Sequence, residues 1–592
     1  MNHKYLFLFT IGPVQSYIQQ SRKTRDLFAS GRILSILSAC AMKEIVERNV
    51  QNEIIFPHFQ KEDIEPSYPN RCIALVEESN IAEMGQDIEQ SVRNKYEDMA
   101  RQYIGDEANA VTLKEHLQVY WVFTKYQGDY ESAYIKLEES MGMIKSLRTF
   151  KQNNNAEYEL RLKKDKRSLR KCNLCGERFA SQYNTSKKYK ADFKLTSYEG
   201  LCDVCLLKRM YQSANWKEEE FLSTCSIALA YWKKDMIQNT DFDKYYKRIR
   251  EILRDEFSDE ILYGNTEILD RNHAQYRDLK SALKAIWSEQ NKINTIMRRY
   301  YALLVFDGDN MGKWVSGEFF KHEYRENGIG QKKVSELLGD YAKWTRTYLN
   351  MNEAELGTVV YAGGDDFLGF IPLDRLFIVV QRLREKFEEM INKPLFEYKE
   401  DKSKNISFSA GICIAHYKTP LNKVISEARK QEEIAKDNTI VIDSEEVDKD
   451  AFSISLLKRS GEHIMSTLSF KSHKDVNNAL NILSTLKEKM ENFSNNFIRV
   501  LDTEWSGMER IDKAICEESF LAFRKNMILS EAKRLIARSC LVETDEKEEV
   551  IEDLFKEIET FYLTCCAQNT SFQNFISMLY IIEFLGRELN DN

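Results

Sequence analysis

The stretch from Tyr301 to Ile371 leaves the fold little freedom. A five-residue apolar run, Ala302–Phe306, ends at Asp307-Gly308-Asp309. Further on, Gly363-Gly364-Asp365-Asp366 separates two more short apolar runs, Thr358–Tyr361 and Phe367–Ile371. Short apolar runs bounded by Gly and Asp read as buried strands, the second pair as a hairpin. Between the first run and the hairpin, Val334, Leu337, Leu338, Tyr341, Trp344 and Tyr348 recur every three or four residues, which predicts a helix. A second helix is expected over about 373–391, a fourth strand over Ile406–Ala415 and a further helix over Leu421–Lys436. The order is β-α-β-β-α-β, a ferredoxin-like unit.

In such a unit the first strand lies beside the central hairpin. Asp307 then converges with Asp365 and Asp366, and convergent carboxylates are hard ligands for Mg²⁺ or Mn²⁺. Two such ions activate a ribose 3′-hydroxyl and neutralise a leaving pyrophosphate. Gly363 and Gly364 permit positive φ and a close approach of nucleotide to the backbone. A Gly-Gly-Asp-Asp turn alone also describes a surface hairpin with a charged tip. Asp307 and the strand order tip the balance toward catalysis. Gly308 and Asp309 complete the candidate nucleotide contacts. Lys436, closing the last helix, is placed to reach a triphosphate as a point charge, though a solvated lysine accounts for it equally well.

The N-terminal stretch repeats the pattern more loosely. Strands are expected at Tyr5–Thr10, Glu53–Phe56, Arg71–Glu77 and Gln118–Thr124, with helices to about Asn49 and over about 80–103. No acid follows the first strand and no Gly-Gly-Asp-Asp joins the central pair, so this copy reads as one that has lost its chemistry. After about Asp450 the pattern predicts helix to the end, with Phe555, Ile558, Phe561 and Tyr562 on one face.

Between the two units, Cys172-x-x-Cys175 and Cys202-x-x-Cys205 are separated by 26 residues. Doubled CxxC spacing predicts a closed tetrahedral Zn²⁺ site of structural kind. The remaining cysteines show no such spacing and read as small buried apolar residues. Arg161, Lys163, Lys164, Lys166, Arg167, Arg170 and Lys171 form a basic cluster beside the first pair, suited to an RNA backbone and equally to a solvated face.

The chain is 592 residues long with a net charge of −8, so it has no global basic field, and nucleic acid must be met locally or through basic partners. Glycine (23) and proline (7) are scarce, which favours helix overall. The N-terminal apolar stretch is too short for a membrane span and lacks a cleavage site. Twelve cysteines in so long a chain do not make a disulfide scaffold, so a cytoplasmic protein is expected. No P-loop, G-x-S-x-G or His-Asp pair is present.

Several stretches, spread in order along the chain, carry a family likeness. They are Phe9–Gln15 with Arg22–Leu27, Pro69-Asn70-Arg71, the double CxxC, Phe221–Thr224, Phe306–Gly312, Tyr361–Phe367, Ser409–His416 and Lys458–Gly461. As a set the chain resembles the large subunit of type III CRISPR effector complexes, most closely the type III-B (Cmr) form. The resemblance implies an α+β chain in which two palm domains face each other and bind ATP between them. It implies a degenerate first palm (1–150), a zinc-binding insert (151–210), a helical domain (211–298), a second palm with catalysis (299–450) and a C-terminal helical domain (451–592). By match to the motif, Asp307, Asp365 and Asp366 would hold the metal ions, and Gly363 and Gly364 would lie against nucleotide. The first palm would help to bind the second nucleotide. The implied partners are the other Cmr subunits, with guide and target RNA. The implied product is a second messenger made from ATP, typically cyclic oligoadenylate. Some relatives instead join AMP to S-adenosylmethionine at the same kind of site, and a third reading is a non-catalytic scaffold. Many relatives begin with an HD-type nuclease domain; this sequence starts at the first palm strand, so no DNase activity is expected from it.

Overall fold

The strands β7 (Tyr300–Gly308) and β10 (Phe408–His416) are almost continuously apolar and buried along nearly their whole length. Strands of that kind belong in the middle of a sheet covered on both faces. The structure is a computed structural model. It describes the chain apart from residues 1–2, 62–66, 106–112, 114, 148–169, 184–198, 212–221, 255–256, 265–273, 327, 351–355, 443–444, 472–477, 495, 513–517, 564–571 and 590–592. In it β7 and β10 are neighbours at the centre of a six-stranded sheet, β14-β13-β10-β7-β9-β8. The outer strands are β8 (Thr358–Gly363), β9 (Asp366–Pro372), β13 (Ala451–Leu457) and β14 (His463–Ser469). The four strands expected from the sequence are antiparallel neighbours in the order β8-β9-β7-β10, as a ferredoxin-like unit requires.

Strands β13 and β14 correct the expectation of helix from about Asp450 onward. After a small hairpin, β11 (Thr439–Ile442) and β12 (Glu445–Asp448), the chain adds β13 in parallel to β10 and turns back as β14. Period-two alternation is present there (Phe452, Ile454, Leu456), but Ser453 and Ser455 between them are also fully buried. Their hydroxyls find partners: Ser453 donates to the Gln431 amide oxygen at 2.6 Å and bonds Thr467 Oγ1, while Ser455 meets His463. The C-terminal helices follow. The last, Phe572–Leu589, lies against β14, where the Asn574 side chain accepts from the Thr467 N–H and donates to its carbonyl. A side-chain amide thus closes an edge that would otherwise offer unpaired backbone groups.

The N-terminal sheet is β2-β3-β1-β4, antiparallel throughout, from β1 (His3–Gly12), β2 (Glu53–Phe56), β3 (Arg71–Glu78) and β4 (Gln118–Lys125). Helices Thr24–Arg48 and Ile81–Ile104 cover the face carrying Phe7 and Phe9. Leu6 and Leu8 point the other way, into a core that also holds Ala302, Leu304 and Phe306 of β7. The face with Phe7 likewise joins a core holding Tyr301, Leu303 and Val305. Both apolar cores therefore contain residues of both units. Polar ties add to this: Ser67 Oγ donates to Ala362 O at 2.6 Å, and Arg325 pairs with Glu131 at 2.8 Å.

The cysteine-bearing insert includes a short hairpin, β5 (Gln182–Tyr183) with β6 (Gly200–Leu201). The helical segment that follows has a core of its own around Trp232, Phe242, Leu283 and Ile286. Most of the basic cluster (161–167) lies outside the described residues, as do Phe221, Cys516, Cys565 and Cys566. Among the described helices none is long and apolar enough to cross a membrane.

Candidate active site

The buried run of β7 ends where Asp307, half-buried, reaches the end of the sheet. On the neighbouring hairpin Gly363 pairs with Asp366, so Gly364 and Asp365 form the turn. Gly364 has φ +67°, a left-handed conformation that costs glycine nothing and a side-chain residue more. The last paired position between β7 and β9 is Phe306 with Phe367. The acid after Phe306 and the acid before Phe367 therefore come out side by side. Gly308 lets the turn lean in: a Cβ built on it would lie 2.8 Å from the Cβ of Asp365.

The three carboxylates feel one another. Burial, with repulsion from Asp307 and Asp366, pushes the Asp365 carboxyl up to about 8. Burial and Asp366 push Asp307 up to about 6, opposed by Lys436. Burial and the same three acids raise the Tyr361 phenol. Acids crowded in this way, all oxygen donors, suit a hard divalent cation that neutralises them together. The residues present thus fit Mg²⁺ or Mn²⁺.

The helix Leu421–Lys436 supplies the opposite wall. Lys436 Nζ pairs with Asp307 Oδ2 and lies 3.5 Å from Glu432 Oε1. Arg429 bridges Asp366 (3.3 Å) and Glu432 (2.9 Å). The sequence points to Lys436 and not to Arg429 or Glu432. The signal was there: positions 429, 432 and 436 are spaced by three and four and share one helix face. The helix sits close because of Gly411 on β10, where a Cβ would be 2.1 Å from Ala428 O and 2.3 Å from Glu432 N.

Two expected nucleotide contacts are placed elsewhere. Asp309 is turned inward and is 2% exposed. Its oxygens accept from the Ser407 and Ser409 hydroxyls (2.6 and 2.8 Å) and from the Asp450 N–H (3.2 Å), so it ties the ends of β7, β10 and β13 together. The Asp450 carboxylate is in turn paired with Arg384 at 2.5 Å. Asp309 is a strut, because a carboxylate with three internal donors satisfies its charge without a ligand. Gly363 faces the other unit: a Cβ there would be 2.7 Å from Ser67 O and 2.5 Å from the Tyr361 hydroxyl. Gly364 does line open space, a cleft between the units. Its walls include Phe56, His58 and Tyr68 from the first unit and Lys343 and Arg346 from the second.

The cysteines converge as their spacing predicts. The Sγ atoms of Cys172, Cys175, Cys202 and Cys205 all lie within 4.8 Å of one another, with Cys175 and Cys202 at 3.9 Å. Tetrahedral Zn–S bonds of about 2.3 Å place sulfurs about 3.8 Å apart, so the four thiols fit zinc. The first pair sits on a turn with Gly176 at φ +69°, and Cys202 immediately precedes the helix Asp203–Met210. Next along that helix, fully buried Lys208 donates to the Tyr17 and Gln20 carbonyls, and Arg209 is held between Asp26 and Glu199. These bonds fasten the insert to the first unit.

Comparison with known proteins agrees with this architecture. The family model for the Cas10/Cmr2 second palm domain matches residues 300–441, and that for the N-terminal part of CRISPR-associated protein Cmr2 matches residues 6–101. A curated Pyrococcus furiosus protein, CRISPR system Cmr subunit Cmr2, is 24% identical over 567 aligned positions. That alignment covers 79% of this chain and 63% of the relative, so the chain spans under two thirds of the relative's length. A type III-B Cmr-beta structure in the apo state superposes with a TM-score of 0.63 at 15% identity, covering 98% of this chain and 82% of the other. The same type of complex bound to cognate target RNA gives 0.62 at 15% identity, covering 99% and 83%. The chain thus matches the Cas10/Cmr2 second palm domain over residues 300–441 and the N-terminal part of Cmr2 over residues 6–101, and its fold is similar to that of type III-B Cmr-beta over nearly its whole length.

Proposed function

We propose that the chain is a nucleotidyltransferase of a type III-B antiviral complex, making a second messenger from ATP when guide and target RNA pair. The observation that carries this reading is the convergence of Asp307, Asp365 and Asp366 at the end of a palm sheet, beside a cleft shared with a second palm-like unit. Divalent ions at these acids supply the charge that activates a ribose 3′-hydroxyl and stabilises a leaving pyrophosphate. The chain's own residues do the rest. Asp307, Asp365 and Asp366 hold the ions. Gly364 lets nucleotide lie against the backbone, and Lys436 offers a cation to the triphosphate. Across the cleft, the first unit contributes Phe56 and Tyr68, apolar rings suited to a base. The RNA-bound relative supports guide and target RNA, with the other Cmr subunits, as the partners.

The test is mass spectrometry of products from the assembled complex with matching target RNA, Mn²⁺ and ATP, with and without S-adenosylmethionine. Cyclic oligoadenylate without the methionine cofactor is expected, reduced at least about 10²-fold by Asp365→Ala with Asp366→Ala. A product appearing only with S-adenosylmethionine keeps the metal site and changes the acceptor. Full activity in the double variant overturns the assignment of these acids. No product with either mixture, from a complex that assembles, leaves a scaffold.

A further inference from the structure

We propose that Lys436 and a divalent cation compete for the same oxygen of Asp307, so that the acid site takes up metal with nucleotide far more readily than metal alone. The inference rests on the metal-site reading above. Its ground is the placement of two cations among four carboxylates. Asp307, Asp365, Asp366 and Glu432 face Arg429 and Lys436, with Lys449 and Asp309 next in the surroundings. An oxygen that holds an ammonium in direct contact does not offer the same lone pairs to a metal ion.

The two cations differ in how firmly they are held. Arg429 is pinned between Asp366 and Glu432, and its planar fork loses both partners if it moves. Lys436 is the last residue of its helix, keeps 27% of its side-chain surface in water, and carries its charge on a flexible stem. Lys436 is therefore the cation that moves. A triphosphate arriving with its own metal ion gives the ammonium a new anionic partner and releases Asp307 in one exchange. Metal alone must displace the ammonium with only Glu432, already shared with Arg429, to receive it. Glu432, 3.5 Å from Lys436, keeps the displaced charge near the site. In this role Lys436 is a gatekeeper of loading order as well as a phosphate contact.

Calorimetric titration of Mn²⁺ into the zinc-loaded full chain, with and without a non-hydrolysable ATP analogue, tests the idea. Lys436→Gln is expected to tighten Mn²⁺ binding without nucleotide by about three- to tenfold. The same variant is expected to weaken binding of the Mn²⁺–analogue complex. Lys449→Gln is the charge control: Lys449 Nζ bonds Asn310 Oδ1 at 2.8 Å, at the same end of the sheet, and touches none of the three acids. It is expected to change neither affinity. Unchanged or weaker Mn²⁺ binding in Lys436→Gln overturns the competition. Equal tightening in both lysine variants also overturns it, reducing the effect to net charge. Asp307→Asn separates the two levels of the argument. If it leaves Mn²⁺ binding intact, the metal-site reading itself is wrong. If it abolishes binding while Lys436→Gln has no effect, only the competition is wrong.

Discussion

Asp365 is held in a place that a carboxylate resists. Burial and the two neighbouring acids push it up to about 8, against an ordinary value near 3.8. A carboxyl that binds its proton more tightly folded than unfolded favours the folded state at low pH. That contribution is lost as pH rises from about 4 through 8. Asp365→Asn keeps the shape and removes the charge. Without added divalent cations it should therefore melt about 2 °C or more above the parent at pH 9, with the gap narrowing steadily as the pH is lowered toward 4, by scanning calorimetry across that range. At this scale Asp307, Asp365 and Asp366 were legible because motif and strand order point to one place. Asp309 was not, since Asp-Gly-Asp does not show which acid turns inward. That is decided by Ser407, Ser409 and Asp450, which come from strands about a hundred residues away or more.

Among elements, the helix Leu421–Lys436 matters most to the site, and its height above the sheet is set by one missing methyl group. Gly411→Ala places a Cβ against the Ala428 carbonyl and the Glu432 amide, backbone that cannot rotate away. The variant should lose about 1–3 kcal/mol of stability by overpacking. It should also bind the ATP analogue more weakly, since Arg429, Glu432 and Lys436 shift together; thermal melts and calorimetry check the two effects. Undiminished analogue binding would show that the helix face has no part in the site. The helix bounds themselves follow from the apolar period. The strands β13 and β14 were harder to read because their buried serines look like solvent-facing positions. Only the partners Gln431, Thr467 and His463 reveal that polar residues are accommodated there.

Over the whole molecule, the insert is joined to the first unit by contacts that a metal site alone would not need. Replacing Cys172 and Cys202 with Ser should remove one equivalent of zinc by elemental analysis. Because Lys208 and Arg209 on the adjoining helix are buried against Tyr17, Gln20 and Asp26, the loss should lower the melting temperature of the first unit by several degrees, not merely loosen the insert. A zinc-free variant with an unchanged melt would separate the two. The existence of two related units, an insert and helical segments was readable from periodicity and cysteine spacing. That the units are inseparable was not, since alternation along β1 and β7 says which residues are buried and not against what. Leu6 and Leu8 share one core with Leu304 and Phe306, and Phe7 and Phe9 share the other with Leu303 and Val305. The N-terminal unit, which has no acid after its first strand, is thus bound by its grease. Its loops are at liberty to drift, whereas the two sides of its central strand are spoken for. Severed from it, the acid-bearing half would present bare hydrocarbon to water, and so it is no portable module.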